Sequence, residues 1–195
     1  KKMLSLEESL KILKETNALL EGHFILSSGL HSPQYVQCAK LMSKPEKAHK
    51  ICASLSEKII NEFKDFDLVL SPAIGGIVIG YEIGRLLKKE TIFSERVDGK
   101  FVLRRDFLIK KNQRVIIVED VITTGKSSLE CSVLAEKLGA EIVGFASLID
   151  RSNGKSKINK KIISQVQIEI PTFTEDDIPE KIKRIKATKP GSRDL

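Results

Sequence analysis

The sequence predicts an α/β fold built on a parallel sheet with helices on both faces. Three observations predict it. The runs at 67–70, 115–118 and 141–149 are short and predominantly apolar, as strands buried on both faces are. They alternate with stretches of helical periodicity, the pattern of successive βαβ units. The first two runs also open into loops of small, acidic or hydroxyl residues, at the carboxyl edge where parallel sheets bind ligands.

The elements follow in order. Ser5-Leu6-Glu7-Glu8 is a capping box, and Leu6, Leu10, Leu13 and Leu20 continue it as a helix expected to end at Gly22. A polar, irregular stretch is expected over 23–37. Ser43-Lys44-Pro45-Glu46 reads as a second capping box with proline in the first turn. Ala48, Ile51, Cys52, Leu55, Ile59 and Phe63 then form one apolar face. A strand at 67–70 leads into a small-residue loop over 71–76 and a helix over 77–89. Two β-prone runs, 91–96 and 100–105, flank Val97-Asp98-Gly99, and Asp-Gly suits the positive φ angles of a type I′ hairpin turn. The strand at 115–118 enters a loop over 119–125. A helix over 126–138 follows, closed by Gly139. Strands are expected at 141–149 and 161–170.

With 195 residues, 41% hydrophobic and 30% charged, the chain has the size and balance of one globular domain over 1–195. No apolar run nears the roughly 20 residues of a membrane span, and no signal-peptide pattern opens the chain, so no membrane partner is expected. Cys38, Cys52 and Cys131 are odd in number and lack CxxC spacing. They are expected to be free thiols in a reducing cytoplasm. The net charge of +7 suits nucleic acid or a phosphorylated small substrate. Few aromatics, no tryptophan and no helix-turn-helix pattern argue against nucleic acid. The basic residues Lys181, Lys183, Arg184, Lys186 and Lys189 read as a solvated tail or helix face. His23, His31 and His49 show no metal-ligand spacing and are expected to be structural, so no protein-built metal site is expected.

The segment from Val115 to Ser127 carries the chemistry. Thr123, Thr124, Gly125, Lys126 and Ser127 can wrap N–H groups and hydroxyls around a phosphate, helped by the dipole of the next helix. Gly125-Lys126-Ser127 matches the end of a Walker A loop, but that loop needs glycine where this chain has Asp120. Glu119 and Asp120 would repel a bare phosphate, yet each can accept a hydrogen bond from a ribose hydroxyl. The segment therefore reads as a sugar-phosphate site.

This segment closely resembles the phosphoribosyl pyrophosphate (PRPP) signature of type I phosphoribosyltransferases. Gly22-His23-Phe24-Ile25-Leu26-Ser27-Ser28-Gly29-Leu30-His31-Ser32, Ser71-Pro72-Ala73-Ile74-Gly75-Gly76-Ile77, Glu95-Arg96-Val97-Asp98-Gly99-Lys100 and Asp150-Arg151-Ser152 are similar to orotate phosphoribosyltransferases. So is the tail Lys189-Pro190-Gly191-Ser192-Arg193. The resemblance implies a type I phosphoribosyltransferase core at about 41–160. It adds a small hood from about 1–40 and the C-terminal segment, and a mobile β-hairpin arm. The implied reaction is transfer of the phosphoribosyl group of PRPP to orotate, giving orotidine 5′-phosphate and pyrophosphate in de novo pyrimidine biosynthesis. The alternatives are a purine phosphoribosyltransferase, against which the hood and Arg151 speak, and a non-catalytic PRPP-sensing regulator.

The same resemblance implies roles for residues. Glu119 and Asp120 hold the ribose hydroxyls, and the loop 123–127 holds the 5′-phosphate. Ala73, Ile74, Gly75 and Gly76 line the pyrophosphate. Arg96 and Lys100 of the arm act in catalysis with Asp120. Arg151, Thr123 and Ser27 meet orotate. The better-known branch of the family has lysines where this chain has Ser27 and Gly75, and Lys100 and Lys126 are expected to compensate in part. Mg²⁺ is expected to arrive with PRPP, and the chain to form a homodimer whose arms close over the neighbouring site.

Overall fold

The computed structural model describes residues 3–190; positions 191–193 of the tail motif lie outside the described residues. Its main sheet has six strands: β3 (Leu68–Pro72), β4 (Glu90–Val97), β5 (Lys100–Val102), β6 (Arg114–Ile122), β7 (Glu141–Asp150) and β8 (Ile162–Gln167). Their order is β5-β4-β3-β6-β7-β8, parallel throughout except for the β4–β5 hairpin. Strand residues alternate between two cores, as the pleat requires. Val69, Ile116, Val118, Ala146 and Leu148 face α1 (Leu6–Glu15), α3 (Pro45–Glu62) and α4 (Gly75–Leu87). Leu68, Leu70, Val115, Ile117 and Phe145 face α5 (Lys126–Lys137). The helices thus cover both faces of a mostly parallel sheet. All six residues of the expected apolar face, five on α3 and Phe63 at its C-cap, are buried.

The N-terminal part departs from expectation. The capping box at Ser5 forms, but α1 ends at Glu15. The Thr16 hydroxyl turns back to the Ile12 carbonyl at 2.8 Å, and Asn17 takes a φ of 58°, breaking the helical path. Gly22 therefore lies in β1 (Leu19–Ile25), which pairs antiparallel with β2 (His31–Val36). The stretch expected to be irregular is largely this hairpin. Its outer end is joined to the C-terminal segment by bridges Phe24–Thr188 and His31–Phe173. The second capping box is also absent. Ser43 closes the short helix α2 (Cys38–Met42), its hydroxyl donating to Lys40 at 2.8 Å, and Lys44 stands at the N-cap of α3 without a side-chain bond. Pro45 does open α3 as expected.

Elsewhere the differences concern length. Strand β3 reaches Pro72 and α4 begins at Gly75, so the loop between them shrinks to Ala73 and Ile74, joined by a cis peptide. Strand β6 runs on to Ile122, so Glu119 and Asp120 belong to the strand itself. The hairpin turn forms as expected, with φ of 49° at Asp98 and 77° at Gly99, but β5 stops at Val102.

Candidate active site

Strands β3 and β6 are parallel neighbours, so their carboxyl ends open side by side. Glu119 points toward the α5 side of the sheet and is buried. Burial first, then the charge of Asp120 and the hydrogen bond between the two side chains, push the Glu119 carboxyl up to about 9. Asp120 is half-buried, and its Oδ1 accepts from the Val121 N–H at 2.9 Å. Its carboxylate lies over Gly75. A Cβ at Gly75 would fall 2.7 Å from Oδ2 and 2.9 Å from Cγ. The bare α-carbon at the start of α4 thus makes room for the acid at the end of β6. Gly76 is confined less severely, since its Cβ would lie 3.2 Å from the Val118 carbonyl oxygen.

The loop after β6 turns on Gly125, whose φ of 79° suits glycine and starts α5. The Thr124 hydroxyl accepts from the Lys126 N–H at 3.3 Å. The following segment buttresses this loop: the Lys157 N–H donates to the Thr124 carbonyl at 3.0 Å, and Ile158 packs against Gly125. Residues 119–128 line a cavity of about 400 Å³. Thr123 also lines a second cavity of about 840 Å³, together with Ser27, Tyr35, Gln37, Arg151 and Lys189. One threonine thus stands between a phosphate-shaped loop and a larger chamber. The half-buried Arg151 has no hydrogen-bond partner at Nε among the described residues, and burial lowers its pKa. Asp150 instead accepts from the Ser152 N–H at 2.8 Å.

The arm divides the two cations assigned to it. Arg96 is held by its own chain: it donates to the Gly99 carbonyl at 2.7 Å, pairs with Glu130 of α5, and lies 4.2 Å over the Phe101 ring. Its other contact, at 3.5 Å, is the hydroxyl of Ser127 in the loop after β6. Lys100 stands exposed beyond the hairpin tip. Lys126 is 76% exposed at its side chain and 3.9 Å from Glu130. The histidines have structural partners. His23 Nε2 lies 2.6 Å from His31 Nδ1, and His49 meets Glu82 at 3.1 Å. Among the described residues no group of three His, Cys, Asp or Glu could hold a metal ion.

The structure therefore brings together Gly75, Gly76, Glu119, Asp120 and the loop 123–127, with Arg96 at its edge. Ser27 and Arg151 join them through Thr123. Sequence reasoning missed Tyr35, whose place in a hairpin was not recognised, Gln37 just beyond that hairpin, and the supporting segment around Ile158. It named Lys189 in the basic tail and in the tail motif but gave it no role, because no periodicity links that residue to a place in the hood.

The comparisons agree with this geometry. The family described as phosphoribosyl transferase domain matches residues 42–177. Orotate phosphoribosyltransferase of Parvibaculum lavamentivorans is 47% identical over 190 residues, covering 97% of this chain and 98% of that protein. The enzyme of the same name from Erythrobacter litoralis is 46% identical, with 96% and 97% covered. Among solved structures, orotate phosphoribosyltransferase from Aeropyrum pernix aligns with a TM-score of 0.69 at 23% identity, over 81% of this chain and 92% of that one. An adenine phosphoribosyltransferase from Thermoanaerobacter pseudethanolicus aligns at 0.59 and 18%, over 69% and 88%. The shared fold therefore does not choose the base. The near-full-length sequence identity does, and the chain belongs to the orotate phosphoribosyltransferases of the type I phosphoribosyltransferase family.

Proposed function

We propose that the chain transfers the phosphoribosyl group of PRPP to orotate in the paired cavities at the ends of β3 and β6, giving orotidine 5′-phosphate and pyrophosphate for pyrimidine synthesis. The observation that carries this assignment is the meeting of a phosphate loop and a base-sized chamber at Thr123, with two acids alongside.

The backbone N–H groups and hydroxyls of Thr123, Thr124, Gly125, Lys126 and Ser127 hold the 5′-phosphate, and α5 points its positive end at it. The two acids then differ in role. With its carboxyl raised to about 9, Glu119 is neutral at pH 7 and can donate as well as accept at a ribose hydroxyl. Asp120 acts as acceptor. Its closeness to Gly75 joins the ribose side of the site to Ala73, Ile74, Gly75 and Gly76, which receive the pyrophosphate. Orotate lies in the larger chamber against Arg151, Thr123 and Ser27. A ring nitrogen of the base displaces pyrophosphate at C1 through a transition state of oxocarbenium character. The protein contributes position and charge, with Arg96 and Lys100 stabilising the departing pyrophosphate.

The half-buried Asp120 would help to hold an Mg²⁺ ion that arrives with PRPP, and when bound the ion would neutralise charge on the leaving group. The working unit is a homodimer, in which the exposed Lys100 serves the neighbouring site. No described helix is long and apolar enough to cross a membrane. A cytoplasmic location accords with three buried, unpaired cysteines.

The test is loss of orotate absorbance in the presence of PRPP and Mg²⁺, with adenine, hypoxanthine and uracil as controls. Orotate alone should be consumed rapidly. Turnover of a purine without turnover of orotate would assign the chain to the purine enzymes instead.

A further inference from the structure

The base chamber holds a cation from an unexpected place. Among the described residues its lining includes Arg151 and Lys189 and no carboxylate. Ser27, at the corresponding edge of the hairpin, brings no charge. Lys189 comes from the far end of the chain, and backbone pairing fixes it there. The Thr188 N–H donates to the His23 carbonyl at 2.9 Å, and the Ile25 N–H donates to the Thr188 carbonyl at 2.8 Å. Thr188 runs parallel to Phe24, so the next residue, Lys189, advances alongside the chain that leads to Ser27. Two further attachments hold the segment. His23 Nδ1 donates to the Ile185 carbonyl at 3.0 Å, and Phe173 and His31 exchange a pair of 2.8 Å backbone bonds.

We propose that Lys189 is a substrate-binding residue, whose ammonium pairs with the carboxylate of the base. This rests on the reading of the chamber as the orotate site. The chemistry favours it: orotate is an anion at neutral pH, and a chamber whose described lining has two cations and no acid selects an anionic base over a neutral one. Arg151 presents a rigid fork suited to a planar edge of carbonyl and N–H groups, whereas lysine offers a mobile point charge suited to a carboxylate at the chamber mouth. The C-terminal segment thus completes the chamber whose other walls come from the N-terminal hairpin and from β6 and β7.

The experiment uses the full chain, with Lys189→Ala, Lys189→Met and Lys189→Arg. Wild type is assayed first; if it does not consume orotate, the functional reading itself falls. Given wild-type turnover, Lys189→Ala and Lys189→Met should each raise the KM for orotate about tenfold, equivalent to roughly 1.4 kcal/mol. The KM for PRPP should stay within about twofold, and Lys189→Arg should recover most of the loss. An unchanged orotate KM in Lys189→Ala overturns the proposal and leaves the function standing. So does a parallel rise in both KM values with a lowered Tm, which would mark Lys189 as structural.

Discussion

Replacing Gly75 by alanine isolates the contact on which the two halves of the site depend. The new Cβ would stand 2.7, 2.9 and 3.0 Å from Oδ2, Cγ and Oδ1 of Asp120, too close for all three atoms. The carboxylate has to swing away, giving up the 2.9 Å bond from the Val121 N–H. A hydrogen bond to a charged group contributes roughly 1.5–3 kcal/mol. If that preference is lost from the bound state, kcat/KM for PRPP should fall by about ten- to a hundredfold. The fold should not suffer. Gly75 does not occupy the left-handed region, and alanine is the better helix former by up to about 1 kcal/mol. Steady-state kinetics with PRPP varied at saturating orotate, beside a thermal melt, measures both quantities. In an Asp120→Ala background the obstructing atoms are gone, so Gly75→Ala should add little further loss. A variant with wild-type kcat/KM for PRPP, or with a full additional loss in the Asp120→Ala background, would refute the reasoning.

The other predictions concern the remaining parts of the site. Because the folded protein raises Glu119 from 4.5 to about 9, the stability it lends is complete below pH 4.5 and is lost as pH rises through 9. Glu119→Gln removes that dependence, so the Tm of the variant minus that of wild type should increase from pH 5 to pH 9 without substrates; a constant difference would rule it out. Arg151→Ala should raise the KM for orotate by about tenfold or more with little change for PRPP, as loss of a charged hydrogen bond from one substrate requires; equal shifts in both would assign Arg151 to structure. For the arm, Lys100→Ala and Asp120→Asn should each be nearly inactive. Co-expressed, they should form roughly half mixed dimers with one sound site each, returning about a quarter of wild-type activity. Mixed dimers confirmed by mass spectrometry without recovered activity would confine Lys100 to its own subunit.

Local patterns made most of the core legible. The buried strands, the apolar face of α3 and the Asp98-Gly99 turn depend on residues within a few positions of one another. The loop from Glu119 to Ser127 is likewise contiguous, so its acids and phosphate-binding groups could be read as one site. Local reading failed where one residue had two possible uses. Ser43 could cap the start of α3 or the end of α2, and it does the latter. Leu20 could continue a helix or enter a strand, and Thr16 with Asn17 decides for the strand.

The sequence by itself determined the class of fold and the strand and helix that frame the loop at 119–127, because each is encoded over a span of about one element. Only the tertiary structure decided what that loop meets. Gly75 and Asp120 touch because β3 and β6 pair in parallel, and no spacing along the chain records that contact. His23 finds His31 within a buried hairpin, and Thr188 joins Phe24 from the other end of the chain. Such contacts arise when burial and backbone pairing draw distant segments together. The residues that meet there carry no shared period, so Lys189 could look like solvated tail and still line the chamber beside Arg151.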